Sequence, residues 1–226
     1  MILEVTRRCN MCCEHCLRGD AQNLDMAEET VDKLLEQVGS IATVTFSGGE
    51  PSLNVPLIRY FFKKARECGV MPYSFYVVTN GKANQLDLAA VLLEVYPEME
   101  EPEACGISLS VDQYHEELDT SPLVKGLVFY DPQKEHQDFD ERWVLRRGRA
   151  YESGIGTAGV TKEFQVEGDG GDGVMVEELY VSADGSIYPD CNLSYDDMES
   201  DYEQVPIENA LPFLTGLLKE ELAEAV

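Results

Sequence analysis

Four cysteines crowd into eight residues near the start of the chain, and this stretch most constrains what the chain can fold into. Cys9, Cys13 and Cys16 follow a C-x3-C-x2-C spacing. Thiolate sulfur is a soft ligand that selects zinc, copper(I) or iron–sulfur clusters. Three thiolates on a cubane cluster leave one iron without a protein ligand, and an open iron can bind and reduce another molecule. The spacing therefore favours an iron–sulfur cluster with one open coordination position.

Zinc is the competing interpretation of the same stretch. Cys9 with Cys12, and Cys13 with Cys16, form two C-x2-C pairs, and four thiolates would close a tetrahedral structural site. Zinc pairs usually come from two knuckles that are well separated in sequence, whereas these two pairs adjoin. Local spacing alone leaves both metals open and favours the cluster.

Length and composition predict a globular protein in a reducing compartment. The chain has 226 residues, of which 44% are hydrophobic, and it suits one domain or one domain with a small appendage. No apolar run is long enough to span a membrane, and residues 1–5 do not resemble a signal peptide. Seven cysteines, four of which lie within eight residues, suit metal ligation better than disulfides. We therefore expect a cytoplasmic protein.

The charge balance excludes some classes of partner. The formal net charge is -26, and such a surface repels phosphate backbones and anionic lipids. We therefore expect neither bulk nucleic acid nor a membrane as a partner.

Strand and helix patterns alternate along the first two-thirds of the chain. Strands are predicted at 3–6, 43–47, 74–79, 107–111 and 143–145, with helices between the first four and a fourth helix that begins at Ser121 and Pro122. This alternation implies parallel strands with right-handed crossovers, in an open α/β sheet or a barrel. Further along, residues 175–188 predict a β-hairpin with an Asp-Gly turn, and residues 211–223 predict a closing amphipathic helix.

The unusual segments all follow strands. The cysteine loop follows the first strand, Gly48-Gly49-Glu50-Pro51 the second and Asn80 the third, while Ser110 and Asp112 end the fourth. Arginines, including Arg146, follow the predicted fifth strand. Because function collects at the carboxyl ends of parallel strands, we expect these segments to share one rim.

The cysteine loop and the Gly-Gly-Glu-Pro turn, in this order after successive strands, resemble the radical S-adenosylmethionine (SAM) enzymes. The resemblance covers roughly the first two-thirds of the chain. It implies a partial (β/α) barrel of five to six parallel strands over residues 1–150. Residues 151–226 would then form a C-terminal extension with a small hairpin and a helix. The chain would be a short member of the superfamily, of unassigned subfamily.

The resemblance also implies a set of site residues. Cys9, Cys13 and Cys16 would ligate a [4Fe-4S] cluster, whose open iron the methionyl amine and carboxylate of SAM would chelate. Gly48, Gly49, Glu50 and Pro51 would meet the methionyl ammonium. The other expected cofactor contacts are His15 near the adenine, Ser108, Ser110 and Asp112 at the ribose or carboxylate, Asn80 in its turn, and Arg146 at a carboxylate.

Each of these further residues also has an ordinary structural interpretation. His15 would be an exposed loop histidine, Ser110 and Asp112 a strand-end cap, Asn80 a tight-turn residue and Arg146 part of a surface salt bridge. No residue is assigned a catalytic role. Cys12 is an additional cysteine, and Cys191 follows a hairpin like those that open auxiliary-cluster extensions, although no further cysteine follows it.

The function implied by the resemblance is reductive cleavage of SAM to a 5′-deoxyadenosyl radical, which abstracts hydrogen from a peptide or small molecule. A flavodoxin or ferredoxin-like protein would supply the electron. Two alternatives stay open: an activating enzyme that places a glycyl radical on a partner protein, and a non-catalytic zinc or iron–sulfur module.

Overall fold

A seven-stranded sheet in the order β4-β3-β2-β1-β7-β8-β9 organises the chain. The computed structural model describes residues 1–115, 122–132, 140–160, 162–171, 173–200 and 202–224. The strands are β1 (Ile2–Thr6), β2 (Thr43–Gly48), β3 (Ser74–Thr79), β4 (Gly106–Leu109), β5 (Val166–Gly168), β6 (Val174–Val176), β7 (Tyr180–Val181), β8 (Ser186–Tyr188) and β9 (Val205–Pro206). Strands β5 and β6 form a separate antiparallel pair.

Helices connect the strands. They are α1 (Glu28–Leu35), α2 (Val55–Cys68), α3 (Gln85–Val95), α4 (Pro122–Lys125), α5 (Gly148–Glu152), α6 (Tyr195–Ser200) and α7 (Ala210–Glu224). Short 3-10 turns occupy Pro51–Asn54, Tyr96–Glu98, Pro102–Ala104, Glu141–Trp143 and Ile207–Asn209. The predicted start of the fourth helix at Ser121 lies outside the described residues. No helix in the described ranges is long and apolar enough to cross a bilayer.

Five strands of the sheet run parallel, which confirms the predicted α/β class. β1 pairs in parallel with β2 and with β7, and β2, β3 and β4 follow one another in parallel. The predicted hairpin is also confirmed, since β7 and β8 are antiparallel. Residues 175 and 176, which the sequence pattern assigns to its first strand, belong to β6 instead.

The predicted fifth strand at residues 143–145 is wrong. Trp143 ends a 3-10 turn, and Leu145 makes only an isolated bridge to Thr157. Backbone hydrogen bonds join Val144 and Arg146 to Thr157. These backbone groups therefore do not pair with a strand of the sheet. The fifth parallel strand is β7, which lies beside β1.

Alternation along the strands separates an apolar face from a polar one. Leu3 and Val5 of β1, together with Phe46 of β2, are buried on the face that the helices cover. Phe46, Phe61 and Phe62 meet there edge to face, with ring centroids 5.4 to 5.5 Å apart, an arrangement that stabilises aromatic cores. The opposite face carries polar side chains, among them Glu4.

A buried ionic network ties β1 to the C-terminal hairpin. The guanidinium of Arg7 donates to the Glu4 carboxylate at 3.1 Å, to the Ser182 hydroxyl at 2.8 Å and to Asp184 at 2.8 Å. The other face of the Arg7 guanidinium lies over the Tyr195 ring, 4.6 Å from its centroid. The side chain of Glu4 is 0% exposed and that of Arg7 is 3% exposed. Because both charges are buried, each is stabilised by the opposite charge of its partner.

β2 ends in close contact with the backbone that follows β1. The amide of Gly49 donates to the Thr6 carbonyl at 2.8 Å, and the amide of Glu50 donates to the Arg8 carbonyl at 2.8 Å. A Cβ at Gly48 would lie 2.3 Å from the Thr6 oxygen, and one at Gly49 would lie 2.4 Å from the Arg8 oxygen. Only glycine allows this approach.

Replacing Arg7 with methionine is expected to destabilise the protein by about 3–5 kcal/mol, because it leaves a buried carboxylate without its partner. Urea unfolding of Arg7→Met and Arg59→Met would measure the difference. Arg59 pairs with Glu94 at the surface, so its loss should cost about 1 kcal/mol or less. Equal effects of the two substitutions would contradict the role given to the network.

Replacing Gly49 with alanine is expected to cost about 1–3 kcal/mol, since the new methyl group overlaps backbone that has little room to move. The matched control is Gly39→Ala, because nothing lies within 4 Å of a Cβ at Gly39. Thermal or urea unfolding distinguishes the two variants. A Gly49→Ala protein as stable as Gly39→Ala would refute the close contact.

Candidate metal and cofactor site

A cavity of about 180 Å³ lies at the carboxyl ends of the first four strands. Its lining residues are Cys9, Met11, Cys13, His15, Cys16, Ser47, Gly48, Gly49, Glu50, Val78, Asn80, Ser110, His115 and Arg149. Segments that follow β1, β2, β3 and β4 therefore meet in one place, as the parallel order of these strands requires.

The cysteine loop places three thiols at this cavity and leaves one outside the lining. Cys9, Cys13 and Cys16 are half-buried and line the cavity, whereas Cys12 is exposed and does not. The amide of Cys16 donates to the Cys13 carbonyl at 3.2 Å, which closes a turn in the loop. Burial raises the pKa of the Cys9 thiol. Three soft ligands converge, while the fourth thiol of the zinc alternative lies outside the cavity.

Three hydrogen bonds hold the side chain of Glu50 at the cavity. Its side chain accepts hydrogen bonds from the Ser52 amide at 3.0 Å, the Thr79 hydroxyl at 2.6 Å and the Asn80 amide at 2.7 Å. Burial raises the pKa of the Glu50 carboxyl, and these hydrogen bonds oppose that rise. Pro51 is buried and begins the next 3-10 turn outside the cavity lining.

Asn80 links the third strand to the cysteine loop. Its side-chain amide donates to the Asn10 side-chain oxygen at 2.8 Å, and its own oxygen accepts from the Lys82 amide at 3.0 Å. The sequence did not single out Asn10, and only its position between Cys9 and the other cysteines could have drawn attention to it.

The residues predicted at the end of β4 lie in different places. Ser110 lines the cavity. Ser108 is fully buried and lies outside the cavity lining, and its hydroxyl accepts a hydrogen bond from the Tyr76 hydroxyl at 3.1 Å. Asp112 lies outside the lining and bonds to the His115 ring at 2.7 Å.

His15 lies in an aromatic group at one side of the cavity. Its ring stacks on Tyr114 at 4.8 Å between centroids and meets His115 edge-on at 5.0 Å. Its Nε2 is 3.7 Å from an Asp112 carboxylate oxygen. Burial lowers the pKa of His15. Its Nδ1 is buried without a hydrogen-bond partner among the described residues.

Sequence reasoning did not select His115, and it named Arg149 only within an arginine cluster from which Arg146 was chosen; both residues line the cavity. Burial alone would lower the pKa of His115, but bonding to Asp112 and Cys13 raises it to about 9. The position of His115, three residues after Asp112, was the sequence feature that could have indicated its place in the site. Arg149 lines the cavity instead of Arg146, whose guanidinium donates to the Gly156 carbonyl at 2.6 Å and lies outside the lining.

The donor set fits an iron–sulfur cluster with a bound cofactor. Three thiols with one exposed neighbour match a cluster that keeps an open iron. Groups that could contact a cofactor lie beside these thiols. They are the glycine turn, the buried carboxylate of Glu50 and the His15 ring, whose Nδ1 has no partner among the described residues.

Comparison with known proteins finds two that are similar to this chain. An uncharacterized protein of Methanocaldococcus jannaschii is 42% identical over 62 residues, which is 26% of this chain and 21% of that protein. Streptococcus suis SuiB, in a crystal structure with the precursor peptide SuiA bound, shares 10% identity with a TM-score of 0.46, over 96% of this chain and 66% of SuiB. The chain thus spans about a fifth of the first relative and just under two-thirds of the second.

The family comparison covers most of the sheet. The model of the Radical SAM superfamily matches residues 3–143, which include the cysteine loop, the glycine turn and strands β1 to β4. Members of this superfamily bind a [4Fe-4S] cluster and SAM, and the three cysteines at the cavity are consistent with both. The chain therefore belongs to the Radical SAM superfamily.

Proposed function

We propose that the chain is a radical SAM enzyme in which Cys9, Cys13 and Cys16 hold the cluster. The observation that carries this proposal is the convergence of these three thiols with the glycine turn on one cavity. The exposed position of Cys12 argues against a closed four-thiol zinc site. The substrate, the reaction outcome and the ligand assignments belong to the proposal.

The residues around the cavity would hold SAM by complementary chemistry. Glu50 and the carbonyls of the glycine turn would face the methionyl ammonium, because a buried carboxylate is the natural partner of a cation. His15 would stack on the adenine, and Ser110 and Asn80 would offer hydrogen bonds to the ribose or carboxylate. The position of His15 in the cavity lining supports the adenine assignment.

When bound, the cluster and SAM would supply reductive cleavage of SAM and, through it, hydrogen abstraction from the substrate. The protein positions the reacting groups and excludes water and oxygen. We propose a flavodoxin or ferredoxin-like protein as the electron donor and the cytoplasm as the location.

The substrate is proposed to bind against the polar face of β2 and β3. Thr45, Tyr76 and Val78 are only half-buried there. On β7 and β8, by contrast, Tyr180 and Tyr188 are buried against Leu193, Tyr195 and Met198. Since Val78 also lines the cavity, this uncovered face leads directly to the site. A peptide or a small polar molecule would suit it.

The division of the chain near residue 150 also stays a proposal. It is supported by the family match, which ends at residue 143. Strands β7 to β9 nevertheless continue the same sheet, so the second part would be an extension of the core rather than an independent unit.

Reconstitution with iron and sulfide under anaerobic conditions tests the proposed function. The reconstituted protein is expected to be brown, and on addition of dithionite and SAM it should release 5′-deoxyadenosine. Alanine at Cys9, Cys13 or Cys16 should abolish the product, because each removes a ligand from the cluster. Cys12→Ala is the matched control and should retain both colour and product.

A colourless protein that binds stoichiometric zinc through all four cysteines would contradict the proposal. Loss of activity in Cys12→Ala equal to that in Cys13→Ala would contradict the ligand assignment.

A further inference from the structure

Helix α5 lies directly on the cysteine loop. The amides of Arg149 and Ala150 both donate to the Cys16 carbonyl, at 3.0 and 3.4 Å. A Cβ at Gly148 would be 2.4 Å from the Gly19 nitrogen, so the two backbones touch. These backbone contacts fix the position of residue 149 relative to Cys16, whatever side chain residue 149 carries.

The Arg149 side chain extends from this point into the cavity, and it is 15% exposed. Its guanidinium lies beside the thiols of Cys16 and Cys12, and its Nε is buried without a partner among the described residues. The guanidinium also contacts the Asp20 carboxylate at 3.5 Å, and the Asp20 side chain is 93% exposed. Such an exposed pair leaves most of the arginine's charge available to the cavity.

This positive charge stands out against its surroundings. The chain carries a net charge of -26, and the buried Glu50 lies near enough to Cys9 to raise the pKa of that thiol. Negative surroundings disfavour the addition of an electron to a cluster, whereas hydrogen bonds to its sulfur ligands favour it. Arginine stays charged at any working pH.

We propose that Arg149 is a positioning residue that raises the reduction potential of the cluster by holding its charged N–H donors beside the Cys16 sulfur. The inference rests on the proposed function, because it requires Cys16 to be a cluster ligand. The step is the transfer of one electron from a flavodoxin or ferredoxin-like donor, or from dithionite, to the oxidised cluster, with no bond formed or broken. Arg149 offsets the acidic surroundings so that such a donor can reduce the cluster.

A redox titration of the reconstituted protein, followed by electron paramagnetic resonance, tests this role. At the potential where half of the wild-type cluster is reduced, Arg149→Gln should lower the ratio of reduced to oxidised cluster about tenfold, which is a midpoint about 59 mV lower for a one-electron couple. Arg149→Lys keeps the charge without the planar fork and should give a smaller shift in the same direction.

Arg142→Gln is the matched control, since it removes the same charge from a side chain that is 81% exposed and paired with Asp140. Its midpoint should equal that of the wild type. Iron content and the unfolding curve of each variant distinguish a redox effect from loss of structure.

An Arg149→Gln midpoint equal to or above that of the wild type would overturn the inference. If Arg149→Gln fails to hold a cluster, the Arg149→Lys variant provides the test. A midpoint potential of Arg149→Lys at or above the wild-type value would then overturn the inference. A wild-type protein that never yields a [4Fe-4S] signal would instead refute the proposed function itself, so the two failures are distinguishable.

Discussion

The close backbone contact between Gly48-Gly49 and the residues that follow β1 is the constraint on which the site depends. Hydrogen bonds from Gly49 and Glu50 to the carbonyls of Thr6 and Arg8 hold the start of the cysteine loop against the glycine turn. Any side chain at these two glycines would separate them. The thiols and the buried carboxylate of Glu50 can share one cavity because this contact is so short.

The C-terminal part of the chain supports the same loop from the other side. Arg7 joins β1 to the hairpin turn through Ser182 and Asp184, and the Tyr195 amide donates to the Arg18 carbonyl at 3.1 Å. The fifth parallel strand also comes from this part of the chain. Residues far from the cysteines in sequence therefore help to fix the loop that carries them.

The sequence was informative where a pattern was long or chemically distinctive. Strands β1 to β4 alternate clearly, and the cysteine and glycine segments that follow β1 and β2 are characteristic of one superfamily. β7 was assigned only to a hairpin, because two residues carry no periodicity that could show its parallel pairing with β1. His115 and Arg149 reach the cavity through tertiary packing, so local sequence could not distinguish Arg149 from Arg146.

We propose that three cysteines hold a cluster whose open iron binds SAM. Electron paramagnetic resonance of the dithionite-reduced protein, recorded before and after addition of SAM, tests this proposal. We expect a [4Fe-4S] signal whose shape changes when SAM is added, because the ligand binds at the cluster. A signal that SAM leaves unchanged, or a protein that holds zinc and gives no signal, would contradict it.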